Sequence, residues 1–268
     1  MTAPDPVDPR LVELVGRRIV RAEGGRPPLI GIAGAQGSGK TTLARTAAQA
    51  FGAAHISLDD VYLTRSRREQ MAEDVHPLFQ TRGPPGTHDL RMLNRLIKTL
   101  SLARSDDKTL LPGFDKRQDD RRPIREWRIF FGRPTAIIID GWCLGVTAET
   151  PEALTAPVNA LERERDPDAV WRTAVNKQVA GPYADLAGQM DATLFLRAPG
   201  FEVVHGWRCQ QEAELLGIPP RALSSTERAR LGEFVMYFER LTRHMINGGV
   251  RADVTVHLDR NRRVTEVA

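Results

Sequence analysis

Short apolar runs recur along the chain, separated by longer segments in which apolar residues return every three or four positions. Runs that are apolar at consecutive positions are typical of strands buried on both faces, whereas the longer spacing indicates amphipathic helices. The runs predict strands at Leu29–Ala33, Ala54–Leu58, Thr135–Ile139, Thr193–Leu196 and Val254–Leu258. A shorter strand is predicted at Thr109–Leu111.

The segments between these runs have helical spacing. They predict helices over residues 10–22, 40–50, 89–102 and from Ser224 onward. The last helix has the clearest ends, because Ser224 and Glu227 form a capping box and Asn247-Gly248-Gly249 stops it. Strands that alternate with helices are typical of a parallel sheet with right-handed crossovers. The pattern therefore predicts an α/β fold, a parallel β-sheet with helices on both faces.

Between the first predicted strand and its helix the sequence reads Gly34-Ala35-Gln36-Gly37-Ser38-Gly39-Lys40-Thr41-Thr42. The spacing Gly-x-x-x-x-Gly-Lys-Thr in this position is that of a phosphate-binding loop. The glycines let backbone N–H groups turn inward, towards an anion at the positive end of the helix. Lys40 is expected to reach the β- and γ-phosphates and Thr41 to hold Mg²⁺. These residues therefore predict a P-loop NTPase fold that binds ATP.

Length and composition limit the domain organisation. The chain has 268 residues, one phosphate loop and no Ser/Gly linker, which predicts a single domain over residues 10–268. Residues 1–9 contain three prolines and are predicted to be a disordered tail. Two cysteines are too few for a disulfide framework, and no apolar run resembles a signal peptide or a membrane span. We therefore expect a cytoplasmic protein with no membrane partner.

The charge balance is only slightly basic. The chain carries 38 Lys and Arg against 34 Asp and Glu, a net charge of +4, and the cations are scattered among the acids. Scattered arginines are typical of a solvated surface or of a site that clamps phosphate groups. We therefore expect a small-molecule substrate in preference to a nucleic acid. The oligomeric state is left open.

Acidic residues follow two of the predicted strands. Asp59 and Asp60 come directly after the second strand, and Asp140 follows the run at 136–139. Because the carboxyl ends of parallel strands meet at one edge of a sheet, these acids are expected near the bound phosphates. One carboxylate there can accept the proton of an attacking hydroxyl, and another can hold Mg²⁺. The alternative is that Asp59 and Asp60 are a helix cap and an exposed turn residue.

Several stretches resemble a known family. Asp59-Asp60-Val61-Tyr62 resembles the Asp-x-Phe-Tyr stretch of the uridine kinase and phosphoribulokinase superfamily, in which the first Asp is the catalytic base. Further stretches resemble its D-glycerate 3-kinase branch, in the same order: Arg-Gly-Pro-Pro-Gly-Thr-His-Asp at 82–89, Pro-Gly-Phe-Asp-Lys at 112–116, Asp-Gly-Trp-Cys-Leu-Gly at 140–145 and Trp-Arg at 207–208. The resemblance extends from about residue 29 to residue 256. The branch has Phe, Tyr and Glu where this chain has Val61, Phe114 and Asp140, which leaves the acceptor least defined.

The resemblance implies a kinase with a lid-like helical insertion. It implies that Asp59 is the base, that Lys40 and Arg208 stabilise the transferring charge, and that Thr41 and Asp140 hold Mg²⁺. The residues expected to bind the acceptor are Asp60, Tyr62, Arg82, His88, Asp89, Asp115 and Lys116. Arg82 and His88 would form a cationic pair that suits a small carboxylate. The alternatives are a helix cap for Asp89, a solvated pair for Asp115 and Lys116, and a surface position for Arg208.

The function expected from these residues is transfer of the γ-phosphoryl group of ATP to a hydroxyl of a small hydroxy acid, with D-glycerate as the expected acceptor. The alternatives are a kinase of uridine, pantothenate or a phosphorylated sugar, and a non-kinase P-loop ATPase or nucleotide switch. A guanine-specific switch normally carries Asn-Lys-x-Asp, whereas residues 176–179 read Asn-Lys-Gln-Val and lack the acid. Acids after the second strand have no evident use in a switch, so the kinase is favoured.

Overall fold

The computed structural model describes residues 7–21 and 25–268. The disordered tail predicted for residues 1–9 lies outside the described residues as far as residue 6. For the rest of that segment the structure differs from the prediction, because Val7 packs against the core and Pro9 opens the first helix. Proline suits the start of a helix, where the backbone N–H has no intrahelical partner. Ala22, the predicted end of this helix, also lies outside the described residues.

The described elements alternate between helix and strand over most of the chain. The helices are α1 (Pro9–Arg21), α2 (Lys40–Phe51), α3 (Arg65–Asp74), α4 (Leu90–Leu102), α5 (Ala160–Arg165), α6 (Val170–Gln178), α7 (Ala184–Ala187), α8 (Val204–Leu216) and α9 (Ser225–Ile246). The strands are β1 (Leu29–Gly34), β2 (Ala54–Ser57), β3 (Lys108–Leu111), β4 (Phe114–Asp115), β5 (Asp120–Arg121), β6 (Arg128–Phe131), β7 (Ile137–Gly141), β8 (Ala192–Arg197), β9 (Val254–Leu258) and β10 (Val264–Val267). A π-helical turn, Val179–Tyr183, joins α6 to α7.

The central sheet has six strands in the order β10-β9-β8-β1-β7-β2. Within this sheet five neighbouring strands run parallel: β9, β8, β1, β7 and β2. The sixth, β10, pairs antiparallel with β9 at one edge. Two small antiparallel pairs, β3 with β6 and β4 with β5, lie outside this sheet. The predicted mostly parallel α/β fold is therefore confirmed. Its carboxyl edge is where the phosphate loop, the acids after β2 and Asp140 near the end of β7 meet.

One strand is displaced from its predicted position. The prediction was Thr135–Ile139, whereas β7 spans Ile137–Gly141. Asp140 and Gly141 continue the pairing with β1, opposite Ile32 and Ala33. The apolar run ends two residues before the backbone hydrogen bonding does, so hydrophobicity alone placed the strand too early.

The sheet separates two parts of the hydrophobic core. Alternate residues of β1 show this: Leu29 and Ala33 belong to one cluster, and Ile30 and Ile32 to the other. The first cluster is covered by α4, α6, the π-helical turn and α9, and the second by α1, α2 and α8. Helices on both faces of the sheet hold its carboxyl edge in place, and that edge carries the candidate site.

Helix α9 is bounded as the sequence predicts. Ser224 and Glu227 form the capping box, and the C-cap is Asn247. The middle of the helix is tied to α5 by a buried ion pair, in which the Arg240 guanidinium donates from Nε and Nη2 to the two carboxylate oxygens of Glu162, at 2.8 and 2.7 Å. Because both side chains are at least nine-tenths buried, this pair fixes where α9 lies against the rest of the domain.

Candidate active site

The phosphate loop has the backbone that its glycines allow. Gly37 and Gly39 have φ of 74° and 90°, the left-handed region, and α2 begins at Lys40 directly afterwards. Gly37 also lies against α8, since a Cβ added there would be 2.6 Å from the Cβ of Trp207. The loop is therefore packed on the helix that carries Arg208.

Lys40 faces the acids at the carboxyl edge of the sheet. Burial lowers the pKa of Lys40, while the charges of Asp140 and Asp59 oppose that shift. Its Nζ lies 3.5 Å from the carbonyl oxygen of Ala35. A lysine in this position has two carboxylates within electrostatic range and a loop of backbone N–H groups beside it, which is an arrangement suited to a phosphate chain and its metal ion.

Thr41 and Asp140 lie side by side. The Thr41 hydroxyl donates to Oδ2 of Asp140 at 2.7 Å. On the other side, Nε2 of His55 lies 2.6 Å from Oδ1 of Asp140, which is buried together with it. A hydroxyl and a carboxylate are oxygen ligands of the kind that Mg²⁺ prefers, and Mg²⁺ usually completes its shell with water and phosphate oxygens. The donor set therefore fits Mg²⁺.

Asp59 is held by two hydrogen bonds. The Tyr62 hydroxyl donates to Oδ1 at 2.8 Å and the Lys116 ammonium donates to Oδ2 at 2.7 Å. Burial raises the pKa of Asp59, but the charges of Lys116 and Lys40 and these two hydrogen bonds outweigh it, so the pKa lies below its ordinary value. Asp59 is therefore an ionised carboxylate throughout the neutral range.

Asp60 has a different environment from its neighbour. Its Oδ2 lies 4.0 Å from the nearest guanidinium nitrogen of Arg128. Burial raises the pKa of Asp60, and the nearby charge of Asp59 adds to the shift, while Arg128 opposes it. The two adjacent acids are thus differentiated, with Asp59 turned towards Lys40 and Lys116 and Asp60 turned towards Arg128.

Two arginines converge on one aromatic ring of α9. The guanidinium carbon of Arg82 lies 5.9 Å from the ring centroid of Phe234, and that of Arg208 lies 5.8 Å from the same centroid. Arg82 is also 5.8 Å from the ring of Phe114, which packs edge-on against Tyr62. The Phe114 ring thus connects Arg82 to Tyr62, which bonds to Asp59. Together with His88, which stacks on Tyr62, these residues form a wall beside Asp59.

Both guanidinium groups already have an acidic partner. Arg82 donates from Nη1 to Oδ1 of Asp119, and Arg208 donates from Nη2 to Glu212 at 2.8 Å. Each carries five N–H donors, so donors remain for a ligand. Nη1 of Arg208 is a buried atom without a hydrogen-bond partner among the described residues.

His88 is buried and neutral, which corrects the expectation that it forms a cationic pair with Arg82. Burial lowers the pKa of His88 to about 3. Its ring stacks on Tyr62 with 4.6 Å between centroids, and Nδ1 lies 2.5 Å from the hydroxyl oxygen of Tyr183. Of these two residues, only Arg82 carries a positive charge, and His88 supplies a neutral ring.

Two of the predicted acceptor residues have local structural roles. Asp89 is the N-cap of α4, where its carboxylate accepts the N–H of Met92 at 2.9 Å, and it also pairs with Arg121 at 3.2 Å. Asp115 accepts the N–H groups of Arg117 and the next residue, at 2.8 and 3.1 Å, within the turn between β4 and β5. Both carboxylates therefore hold the backbone, and their part in binding the acceptor stays a prediction.

Sequence reasoning missed several residues that contact the site. Arg262, in the turn between β9 and β10, donates from Nε to the Gly37 carbonyl at 2.5 Å, and its guanidinium lies 5.1 Å from the ring of Trp207. Asp119 and Tyr183 were missed in the same way. Each of these residues contacts a partner that is distant in sequence, so no local sequence pattern predicts the contact.

The parallel sheet, the phosphate loop at the end of β1, the acids after β2 and Asp140 near the end of β7 define the class of P-loop kinases. Comparison with known proteins agrees. No family model matches the chain. The uncharacterized kinase mug58 of Schizosaccharomyces pombe is 30% identical over 227 residues, which cover 80% of this chain and 79% of that protein. The probable ATP-dependent kinase TDA10 of Saccharomyces cerevisiae is 26% identical over 268 residues, with coverage of 89% and 87%.

A solved structure with the same fold is that of D-glycerate 3-kinase from Cryptococcus neoformans, with a TM-score of 0.73, 21% identity and coverage of 96% of both chains. The chain belongs to the kinase family that includes mug58. The chain therefore shares the fold of a D-glycerate 3-kinase, in agreement with the resemblance inferred above from the motifs. Within the described residues, every helix is too short or too polar to cross a bilayer.

Proposed function

We propose that this kinase transfers the γ-phosphoryl group of ATP to a hydroxyl of a small hydroxy acid, and that D-glycerate is its acceptor. The observation that carries the proposal is the position of Asp59, an ionised carboxylate that lies in the field of Lys40 and is bonded to Lys116. A base at this position can accept the proton of an attacking hydroxyl, whereas acids after the second strand of the chain have no evident use in a nucleotide switch.

The phosphate loop and α2 would hold the nucleotide. The N–H groups of Gly34–Thr42 and the start of α2 provide the anion site, and Lys40 provides a charge for the β- and γ-phosphates. Thr41 and Asp140 would hold Mg²⁺, which would neutralise charge on the phosphates. Arg208 has donors free beside the same loop, and we assign it to the charge that develops during transfer.

Asp59 would act on the acceptor. As the hydroxyl oxygen bonds to the γ-phosphorus, the bond to the β-phosphate oxygen breaks and ADP leaves, while the hydroxyl proton passes to Asp59. Lys116 keeps Asp59 ionised before the reaction, and Tyr62 fixes the direction of its carboxylate. In this proposal Lys116 acts on the acceptor only through Asp59. Asp60 lies next to Asp59, and Tyr62 forms part of the wall.

The charge of the wall favours an anionic acceptor. Arg82 has donors beyond those that contact Asp119, and a guanidinium can bind a carboxylate through two parallel hydrogen bonds. Phe114 and Phe234 would also suit the base of a nucleoside, so uridine is the second candidate. Guanidinium groups already lie near both rings, however, which leaves less aromatic surface for a base.

The test is ADP release by the purified protein with Mg²⁺ and ATP, given D-glycerate, uridine, pantothenate or ribulose 5-phosphate in turn. We expect D-glycerate to stimulate ADP release most strongly, and the Asp59→Asn variant to lose that stimulation. Faster release with another acceptor would contradict the choice of D-glycerate. The same rate with and without any acceptor would instead indicate an ATPase or a switch.

A further inference from the structure

Tyr183 stands at the end of the π-helical turn Val179–Tyr183, which contains Pro182. A π-helical turn holds one residue more than an α-helical turn, and such turns occur frequently at functional sites. Here the turn directs a buried tyrosine towards the loop that precedes α4. The Tyr183 hydroxyl accepts the Gly86 N–H at 3.1 Å and lies 2.5 Å from Nδ1 of His88.

The hydrogen-bond inventory of this cluster favours one tautomer of His88. If the Tyr183 hydroxyl donates to Nδ1, the imidazole proton is on Nε2, and that N–H is then the group of this pair without a partner. If Nδ1 carries the proton instead, the Tyr183 hydroxyl hydrogen and the Nε2 lone pair both lack partners among the described residues. The first arrangement leaves fewer buried polar groups unsatisfied and is therefore the more stable.

The Nε2 atom of His88 is buried and without a hydrogen-bond partner in the described part of the chain. Buried donors of this kind are uncommon in native proteins because they are costly, and a ligand is one reason to keep one. The ring stacks on Tyr62, whose hydroxyl bonds to Asp59. The imidazole that carries this donor therefore packs directly against the tyrosine that holds the base.

We propose that Tyr183 is a positioning residue that fixes His88 as the Nε2–H tautomer, so that His88 offers a neutral hydrogen bond to an oxygen atom of the acceptor. The second half of this proposal rests on the proposed function. Arg82 would then bind the carboxylate of the acid, and His88 would bind an uncharged oxygen of the same molecule. This assignment gives the acceptor one charged contact and one neutral contact.

The tautomer of His88 can be determined on the wild-type protein by a measurement that does not depend on enzyme activity. Long-range ¹⁵N–¹H correlation spectra of the ¹⁵N-labelled protein distinguish Nε2–H from Nδ1–H, and the His88→Gln variant assigns the signal. We expect Nε2–H, with the Nε2 proton signal moving when D-glycerate is added. An Nδ1–H tautomer would overturn the proposal whatever the acceptor is. If D-glycerate were not phosphorylated, the spectrum recorded without it would still report the tautomer of His88. A wrong tautomer and a wrong acceptor are therefore distinguishable.

The kinetic arm separates a positioning role from a merely structural one. Tyr183→Phe should raise the KM for D-glycerate about tenfold, with the KM for ATP unchanged, and its spectrum should show both tautomers. Tyr237→Phe, which removes another buried tyrosine hydroxyl, is the matched control and should change neither KM. Equal KM values in wild type and Tyr183→Phe would overturn the proposal.

A pair of His88 variants covers the case in which Tyr183→Phe does not fold. The Gln side chain places an N–H near the position of Nε2, and the Asn side chain places one near Nδ1. His88→Gln should therefore keep a lower KM for D-glycerate than His88→Asn, by about tenfold. The reverse order would contradict the assignment of the donor to Nε2.

Discussion

Replacing Asp59 with Asn separates the chemistry of the site from its stability. Asn keeps the size of the side chain and can still accept the hydrogen bond from Tyr62, but it cannot accept a proton. A positioned general base contributes about 100- to 10,000-fold to a reaction. At about 1.4 kcal/mol for each factor of ten, the expected loss is about 3–5.5 kcal/mol of transition-state stabilisation.

The cost to the fold should be much smaller. The ion pair that is lost joins Asp59 to Lys116, whose side chains are 37% and 47% exposed. A pair this accessible to water contributes about 0–1 kcal/mol, because water screens the attraction and rehydrates the lysine. In a domain of this size 1 kcal/mol corresponds to about 2–4 °C in the midpoint of thermal unfolding.

The assay is the turnover of D-glycerate at saturating ATP, measured beside the thermal midpoint and the Kd for ATP. Asp60→Asn is the matched control, because it makes the same change at the adjacent acid, which faces Arg128. We expect kcat to fall at least about 100-fold in Asp59→Asn and far less in Asp60→Asn. If Asp60→Asn were the more damaged variant, or if Asp59→Asn kept near-normal turnover, the assignment of the base would be wrong.

Four other changes have defined outcomes. Lys40→Ala should lower turnover at least about 100-fold with little change in the thermal midpoint, since Lys40 acts on the phosphates; near-normal turnover would contradict this. Arg82→Gln should raise the KM for D-glycerate about 10- to 100-fold and leave the KM for ATP unchanged, and equal losses for both substrates would refute an acceptor-specific contact. Because burial lowers the pKa of His88 from 6.5 to about 3, the unfolded chain binds a proton below pH 6.5 that the folded chain does not. Acidification from about pH 7.5 to about pH 5.5 should therefore lower the free energy of unfolding of wild type by about 1.4 kcal/mol more than that of His88→Gln, as measured by urea unfolding. An equal decrease in the two proteins would contradict a neutral His88. Arg240→Met should destabilise the fold by about 3–5 kcal/mol because it leaves Glu162 buried and unpaired, and a thermal midpoint within a few degrees of wild type would contradict this.

The sequence predicted the parts of the molecule that depend on local spacing. The phosphate loop, the start of α2 at Lys40 and the capping box of α9 follow from residues a few positions apart. The acids after β2 were found because an apolar run followed by carboxylates indicates the end of a buried strand from local sequence alone, without knowledge of the residues that pack against it. The strand order then brings Asp59 and Asp140 to one edge, as expected for parallel strands.

Local spacing does not report what a charge meets across the fold. Arg82 pairs with Asp119, 37 residues later, and His88 meets Tyr183, 95 residues later. The protonation state of His88 follows from its burial, which depends on Tyr62 and the π-helical turn together. For Asp89 the cap of α4 was one of two alternatives, and its carboxylate does accept the Met92 N–H at the start of that helix.

The most direct test of the proposed function identifies the product. The protein would be incubated with D-glycerate, ATP and Mg²⁺, and the mixture analysed by mass spectrometry beside a measurement of ADP, with Asp59→Asn as the control. The proposal predicts glycerate carrying one phosphoryl group, in an amount equal to the ADP released, and neither product above background with the variant. ADP formed in the same amount without glycerate, and no phosphorylated acid, would contradict it.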